Sequence, residues 1–113
     1  SIITELAYIH LVNGDFQQAL EEYLNSLKIK IDKLGTDHML LVSTYMDIGK
    51  VYKRMKRYDD AMKAFTEALR ISHLNIGGND EAMALILFNI ASVHVLLKDY
   101  DEAVEVYTGS AMI

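Results

Sequence analysis

The chain has 113 residues, of which 51% are hydrophobic and 24% charged, and these values predict one compact soluble unit. The formal net charge of −5 argues against general nucleic-acid binding, which usually relies on a basic surface. Cysteine is absent, which excludes disulfides and thiolate metal sites and fits a reducing, cytoplasmic location. The longest stretch without a charge, 82–97, contains Asn89, Ser92 and His94, so we expect it to be too short and too polar to span a bilayer.

The spacing of apolar residues predicts helices along the whole chain. Val42, Tyr45, Ile48 and Tyr52, for example, recur at intervals of three and four, which places them on one helical face. Short polar segments predict the turns, and Asp37 is a candidate N-cap for the third helix. The predicted helices are roughly 2–13, 16–34, 38–55, 59–75, 80–97 and 100–112, with turns inside the three pairs at Asn13-Gly14-Asp15, Lys56-Arg57 and Lys98-Asp99.

The helix pairs repeat every 42 residues without a gap. Repeat 1 covers 1–37, repeat 2 covers 38–79 and repeat 3 covers 80–113, which amounts to about 2.7 repeats. Because the chain starts and stops out of phase with this period, we expect it to be part of a longer array. A fixed period of this length is typical of stacked identical units. The prediction is an all-α, right-handed superhelical solenoid of antiparallel helix pairs.

Small and large residues stand at matching positions of every repeat. Small side chains let two helices approach closely, and large ones fill the neighbouring gaps, which predicts interlocking packing within each pair. The small positions are Ala7, Gly49 and Ala91 in the first helix and Ala19, Ala61 and Ala103 in the second, where Tyr23, Phe65 and Tyr107 are the large ones.

The middle repeat carries a recognisable pattern. Its Tyr45-x2-Ile48-Gly49-x2-Tyr52, followed by Ala61-x3-Phe65, resembles the tetratricopeptide pattern W-x2-L-G-x2-Y…A-x3-F. The period is longer than the usual 34 residues, and with the connector 34–38 it is similar to the repeats of kinesin light chains. Both connector prolines of that family are missing, and His10 and His94 replace the tyrosine found at position 52.

The resemblance implies a non-catalytic scaffold that binds a peptide segment or a partner protein in a concave groove, as a cargo adaptor does in kinesin light chains. Two alternatives stay open. The chain could be a structural or self-associating spacer array, or the regulatory repeat region of a larger enzyme or signalling protein. We expect protein or peptide partners and self-association through uncapped solenoid ends, without nucleic acid or membrane.

The first helix of each pair lines the concave surface in such repeats. Asn89 stands where kinesin-light-chain-like repeats often carry a groove asparagine, whose amide can both donate and accept backbone hydrogen bonds. Its alternative interpretation is a solvated helix residue. The candidate groove residues are Tyr8, Met46, Asp47, Lys50, Lys53, Arg54, Phe88, Asn89 and Ser92.

A run of basic residues ends the first helix of repeat 2. It consists of Lys50, Lys53, Arg54, Lys56 and Arg57, which are five of the eleven cations. A binding role would favour an acidic ligand. The alternative is that cations simply complement the dipole at a helix C-terminus.

Nothing in the sequence indicates an enzyme, a cofactor or a metal site. No Gly-rich phosphate loop, HExxH or GxSxG motif is present. His10 and His94 lie two periods apart at the register of Tyr52, which indicates a repeated architectural position rather than a metal ligand.

Overall fold

The structure, a computed structural model, describes the backbone of residues 2–75 and 80–112 and the side chains of 2–75 and 81–98. Within these ranges the chain is all-helical, as predicted, and contains no strand. The connector 76–79 lies outside the described residues. The helices are α1 (Ile2–Val12), α2 (Phe16–Leu34), α3 (Leu41–Arg54), α4 (Tyr58–Leu74) and α5 (Asp80–Met112).

Each helix packs on the next one along the chain, so that the helices form a short solenoid. Helix α1 packs on α2 and α3 on α4, which are the two predicted pairs, while α2 contacts α3 and α4 contacts α5. This chain of neighbour contacts is the arrangement expected of a tetratricopeptide-like array.

The turns inside the first two pairs share one backbone device. Gly14 has a φ of 85° and Lys56, at the same register of the next repeat, has a φ of 62°. In each turn the following amide closes a hydrogen bond to a carbonyl five residues earlier, Asp15 N to His10 O at 2.8 Å and Arg57 N to Tyr52 O at 2.9 Å. Such a left-handed residue satisfies the last carbonyls of a helix and reverses the chain.

The predicted third turn, at Lys98-Asp99, is absent, and the prediction of six helices is wrong at this point. Helix α5 continues for 33 residues through both positions. A turn would require Lys98 to adopt the left-handed conformation, which costs a non-glycine residue about 1–2 kcal/mol and breaks intrahelical hydrogen bonds. Lys56 accepts the same cost because α4 then packs against α3.

The core confirms the pairing of small with large residues in the first two repeats. Ala61 and Phe65 are completely buried between α3 and α4. The ring of Phe65 lies so close to Gly49 that a Cβ built on Gly49 would be 2.5 Å from Phe65 Cε1. In the first pair Ala7 and Tyr23 occupy the same two positions and are also buried. The side chains of residues 103 and 107, the third predicted copy of this packing, lie outside the described residues.

Asp37 does not cap α3, because this helix begins four residues later, at Leu41. The Asp37 carboxylate instead accepts a hydrogen bond from Arg70 Nη1 at 2.9 Å. Arg70 also donates to the backbone carbonyl of Thr36 at 3.3 Å. The acidic residue therefore fastens the connector between α2 and α3 to α4.

The N-terminal part of α5 is longer and more apolar than we expected from the sequence. Among the described residues, the window Glu81–Lys98 is long and apolar enough to cross a membrane, with a mean hydropathy of 1.5, so the expectation that this stretch is too short and too polar is wrong on length and composition. Only 17% of that window is buried. A single such helix is weak evidence for a membrane span, since core helices of soluble proteins meet the same criterion.

Candidate protein-binding groove

One line of side chains runs across the first helices of the three repeats. Tyr8, Lys50 and Ser92 are separated by one period each and lie on α1, α3 and α5. Tyr8 has 61% of its surface exposed, Lys50 is exposed and Ser92 is half-buried. We call the surface around this line the groove face.

Lys53 joins two helices beneath the groove face. Its Nζ donates a hydrogen bond to Ser92 Oγ at 2.9 Å, which links α3 to α5. Ser92 Oγ in turn donates to the backbone carbonyl of Asn89 at 2.8 Å. Lys53 is half-buried and already has this polar partner, so its contribution here is to hold two repeats together.

A half-buried carboxylate, that of Asp47, lies near the exposed cation Lys50 of the middle repeat. Burial raises the pKa of the half-buried Asp47 carboxyl above its ordinary value, while the charges of Lys50 and Lys30 oppose that rise. Lys30 reaches this region from α2 and donates to Thr44 Oγ1 at 2.7 Å. The Asp47 carboxylate therefore partly balances the positive charges of Lys50 and Lys30.

A buried tyrosine, Tyr23, lies near this carboxylate and near Tyr8. Tyr23 is 2% exposed, and its pKa is raised to about 12, first by burial and then by the nearby charges of Asp47, Tyr8 and Glu22. A neutral phenol with such a pKa stays protonated at every physiological pH. The phenol of Tyr23, from α2, thus lies near both Tyr8 of α1 and the acidic group of α3.

Two predicted groove residues are not at the surface. Met46 is 5% exposed and belongs to the same core cluster as Ile86 and Val93 of α5, so its placement in the groove is wrong. Asn89 is 6% exposed, and its Nδ2 donates to the carbonyl of Leu85 in its own helix at 2.9 Å. Met46 is covered because residues of α5 belong to its core cluster. Phe88, in contrast, is 69% exposed.

The basic run is partly consumed by local contacts. The guanidinium of Arg54 lies 5.3 Å from the ring centre of Phe16, on the first pair of helices. Arg57 forms an ion pair with Asp60 at 2.8 Å and stacks 4.8 Å from the centre of the Tyr52 ring. The last turn of α3 contains Lys53 and Arg54, where the helix dipole favours cations, while Lys56 and Arg57 follow the end of the helix. Lys50 is exposed on the groove face.

Sequence reasoning missed three contributors to this region, namely Tyr23, Lys30 and Thr44. They come from α2 and from the buried side of α3, where apolar packing was the expected role. The 42-residue period was used to predict which side chains of the first helices are exposed in the groove. It gives no indication that Lys30, on a second helix, would reach across to α3.

The two equivalent histidines have different surroundings. His10 is half-buried, and its Nδ1 lies 2.8 Å from Glu22 Oε2, whose side chain is 13% exposed. His94 is exposed. Among the described residues no group of three or more His, Cys, Asp or Glu side chains could hold a metal ion.

We therefore expect tyrosine substitution to affect the two histidines unequally. His94→Tyr should change the free energy of unfolding by less than about 0.5 kcal/mol, as is usual for a surface position. His10→Tyr should cost about 1–3 kcal/mol, because the poorly exposed Glu22 carboxylate loses its short contact to His10 and keeps only the hydrogen bond from Gln18 Nε2 at 3.3 Å. Chemical denaturation of both variants measures this, and equal effects would show that the His10–Glu22 pair is irrelevant to stability.

The stacked helix pairs, the small-and-large packing and the surface of first helices define a class of helical-repeat protein. The profile described as "Tetratricopeptide repeat" matches residues 1–73, and a second one with the same description matches residues 84–111. The chain belongs to the tetratricopeptide repeat family. Such repeats generally mediate protein–protein interactions, and the fold is typically a non-catalytic scaffold. A comparison with curated proteins returns no match.

Proposed function

We propose that this chain binds a short peptide segment of a partner protein on the groove face. The observation that carries the proposal is the line of surface groups formed by Tyr8, Lys50 and Phe88. Two strongly exposed aromatic residues on α1 and α5 flank an exposed cation on α3. Aromatic anchors next to a few polar groups are typical of surfaces that bind proteins.

The charges of the groove face favour a ligand that is mixed acidic and apolar. Lys50 offers one exposed cation, while Lys53 and Arg54 are already engaged with Ser92 and Phe16. Asp47 lies close to Lys50 and opposes a densely acidic ligand. One acidic group paired with Lys50, together with apolar side chains on the aromatic residues, fits this surface best.

A cytoplasmic adaptor of the kinesin-light-chain kind is the finer proposal. It is supported by the 42-residue period and by the connector 34–38, which resembles the connectors of that family. The absence of cysteine suits a reducing compartment. A second candidate role is self-association, which is favoured by the exposed apolar residues of α5, Leu85, Leu87 and Val95.

The binding experiment uses fluorescent acidic and basic peptide pools, each with aromatic and aliphatic positions, titrated against the chain at 0.1 M salt. We expect the acidic pool to bind with a dissociation constant on the order of micromolar, near −8 kcal/mol. Lys50→Glu should weaken this binding about three- to tenfold, since an exposed ion pair contributes about 0.2–1 kcal/mol and the reversal adds repulsion. Asp47→Asn should strengthen it about two- to fivefold.

The matched control is Lys28→Glu, which makes the same charge change at an exposed position of α2. It should leave the affinity within about twofold of the unmodified chain. Salt at 0.1 M screens the interaction between exposed charges beyond a Debye length of about 10 Å, so a charge on α2 should have little effect on a peptide bound at the groove face. Equal losses of peptide affinity in Lys28→Glu and Lys50→Glu would show that only the net charge of the protein matters and that Lys50 does not contact the peptide. No preference for the acidic pool in the unmodified chain would refute the proposed ligand.

A further inference from the structure

Helix α5 combines the sequence of a helix pair with the shape of a single helix. The tetratricopeptide profile matches residues 84–111, a range that includes the predicted turn at Lys98-Asp99 and most of the two helices predicted on either side of it. Yet the backbone runs as one helix from Asp80 to Met112. At 1.5 Å per residue, 33 residues extend about 50 Å, so the segment 100–112 cannot lie back against the segment 81–97 of the same chain.

The face that a second helix would cover is consequently uncovered on α5. Ala91 is exposed, whereas its equivalents Ala7 and Gly49 are buried under α2 and α4. His94 is exposed where Tyr52 is half-buried. Ala91 and His94 lie one turn apart on α5, and His94 borders an open surface that it shares with Met62 and Thr66 of α4. We call this uncovered surface between α4 and α5 the vacant cleft.

The vacant cleft is large enough for helical side chains and has a mixed lining. Its central part has a volume of about 640 Å³ and is bordered by α4 and α5. A second part of about 740 Å³ continues it past the α3–α4 turn. The lining of the two parts includes Met62, Thr66, His94, Leu96 and Leu97.

The repeat specifies what fits this cleft. In the second pair, the second helix places Phe65 on Gly49. One period later the corresponding positions are Tyr107 and Ala91, so the segment 100–112 carries the sequence that belongs on this face. In the first pair the same combination, Tyr23 with Ala7, is already buried. The occupant that the cleft is built for is therefore this segment.

We propose that two copies of the chain exchange their 100–112 segments, so that each vacant cleft is filled by α5 of the partner copy. The register allows this in both directions at once. Residue 91 precedes position 99 by eight and residue 107 follows it by eight, so two antiparallel α5 helices crossing at position 99 bring residue 91 of each copy onto residue 107 of the other. A two-fold axis near position 99 makes the contact self-complementary, as isologous dimers require.

The exchange also explains why α5 need not bend. Fold-back within one chain and exchange between two chains form the same helix–helix contact, and they differ in the hinge. Fold-back needs a left-handed residue at Lys98, as at Lys56, while exchange keeps the continuous helix that is observed. The exchange rests on Ala91, His94 and the adjoining residues of α4 rather than on Tyr8, Lys50 and Phe88, and it does not depend on the peptide-binding proposal.

The lack of cysteine permits a direct test in the full chain. Ala91→Cys and Tyr107→Cys are prepared as separate proteins, mixed, unfolded, refolded together and oxidised. Exchange predicts a disulfide-linked heterodimer of twice the 12.8 kDa chain mass, and light scattering of the unmodified chain predicts the same doubled mass. A chain carrying both cysteines should form the same covalent dimer.

Three results would overturn the proposal. An unmodified chain that is monomeric at all concentrations would exclude the dimer. An intrachain disulfide in the double-cysteine protein would show fold-back instead. A dimer in which the mixed single-cysteine proteins do not crosslink would place the interface on another surface, such as the ends of the solenoid.

A hinge substitution provides a second, independent readout. Lys98→Gly supplies the residue type that makes this turn in the first repeat, where Gly14 has a φ of 85°. It should favour fold-back and raise the dimer dissociation constant at least tenfold. The matched control is Lys56→Gly, at the equivalent turn that already exists, which should leave the dissociation constant within twofold. Equal dissociation constants for the two glycine variants would contradict the exchange.

Discussion

Replacing Phe65 by alanine should lower the free energy of unfolding by about 3–5 kcal/mol, the usual cost of removing a buried aromatic ring. Phe65 is completely buried and lies in one core cluster with Leu41, Ile71 and Val93, which come from three different helices. Its ring fills the space that the missing side chain of Gly49 leaves in α3. Urea denaturation followed by far-ultraviolet circular dichroism measures the loss, and a substantial part of the total stability of a small domain should disappear.

Phe88→Ala is the matched control for this substitution. The same side chain is removed, but Phe88 is 69% exposed on the groove face. The free energy of unfolding should change by no more than about 0.5 kcal/mol. Similar losses for the two variants would mean that Phe88 is covered by another copy or segment, and a small loss at Phe65 would contradict the described core.

The first two helix pairs could be predicted from the sequence because their determinants are local. The spacing of apolar residues identifies helices, and the pairing of Gly49 with Phe65 or of Ala7 with Tyr23 follows from the 42-residue period. Helix ends were less accurate. The predicted start of α3 at residue 38 is early, because residues 38–40 form a turn before Leu41.

The third pair shows where local information ends. Lys56 and Lys98 are the same residue type at the same register, yet Lys56 is left-handed and Lys98 is helical. No propensity scale separates two lysines. The difference must come from what the following helix packs against, and such tertiary context overrides a weak local preference.

The candidate groove was predictable only in part for the same reason. The repeat phase placed Tyr8, Lys50 and Phe88 on one side of the first helices, and the structure exposes all three. The same phase placed Met46 and Asn89 there, but both are buried, Met46 in one core cluster with Ile86 and Val93 of α5. A periodic pattern gives the direction of a side chain from its own helix, whereas exposure depends on the distance to the next helix. That the residues of the groove face bind a peptide stays a prediction.

Replacing Gly49 by leucine should destabilise the chain by at least about 1–3 kcal/mol, the usual cost of inserting side-chain atoms into a packed core. A Cβ alone would lie 2.5 Å from Cε1 and 2.7 Å from Cδ1 of Phe65, closer than carbon atoms can approach. The higher helix propensity of leucine, worth up to about 1 kcal/mol, acts in the opposite direction, so the measured loss understates the steric cost. Lys50→Leu, at the exposed neighbouring position, is the control and should change stability by about 0.5 kcal/mol at most.

The double variant Gly49→Leu with Phe65→Ala tests whether these two positions share one space. If the new leucine occupies the cavity left by the ring, the double variant should be more stable than the sum of the two single losses predicts. Contacting residues typically show such interaction energies of about 0.5–3 kcal/mol. The same cycle with Phe88→Ala in place of Phe65→Ala should be additive, since Phe88 lies on the exposed side of α5. If the two losses of unfolding free energy simply add, residues 49 and 65 do not share one space. That result would contradict the small-and-large pairing on which the descriptions of the core and of the vacant cleft depend.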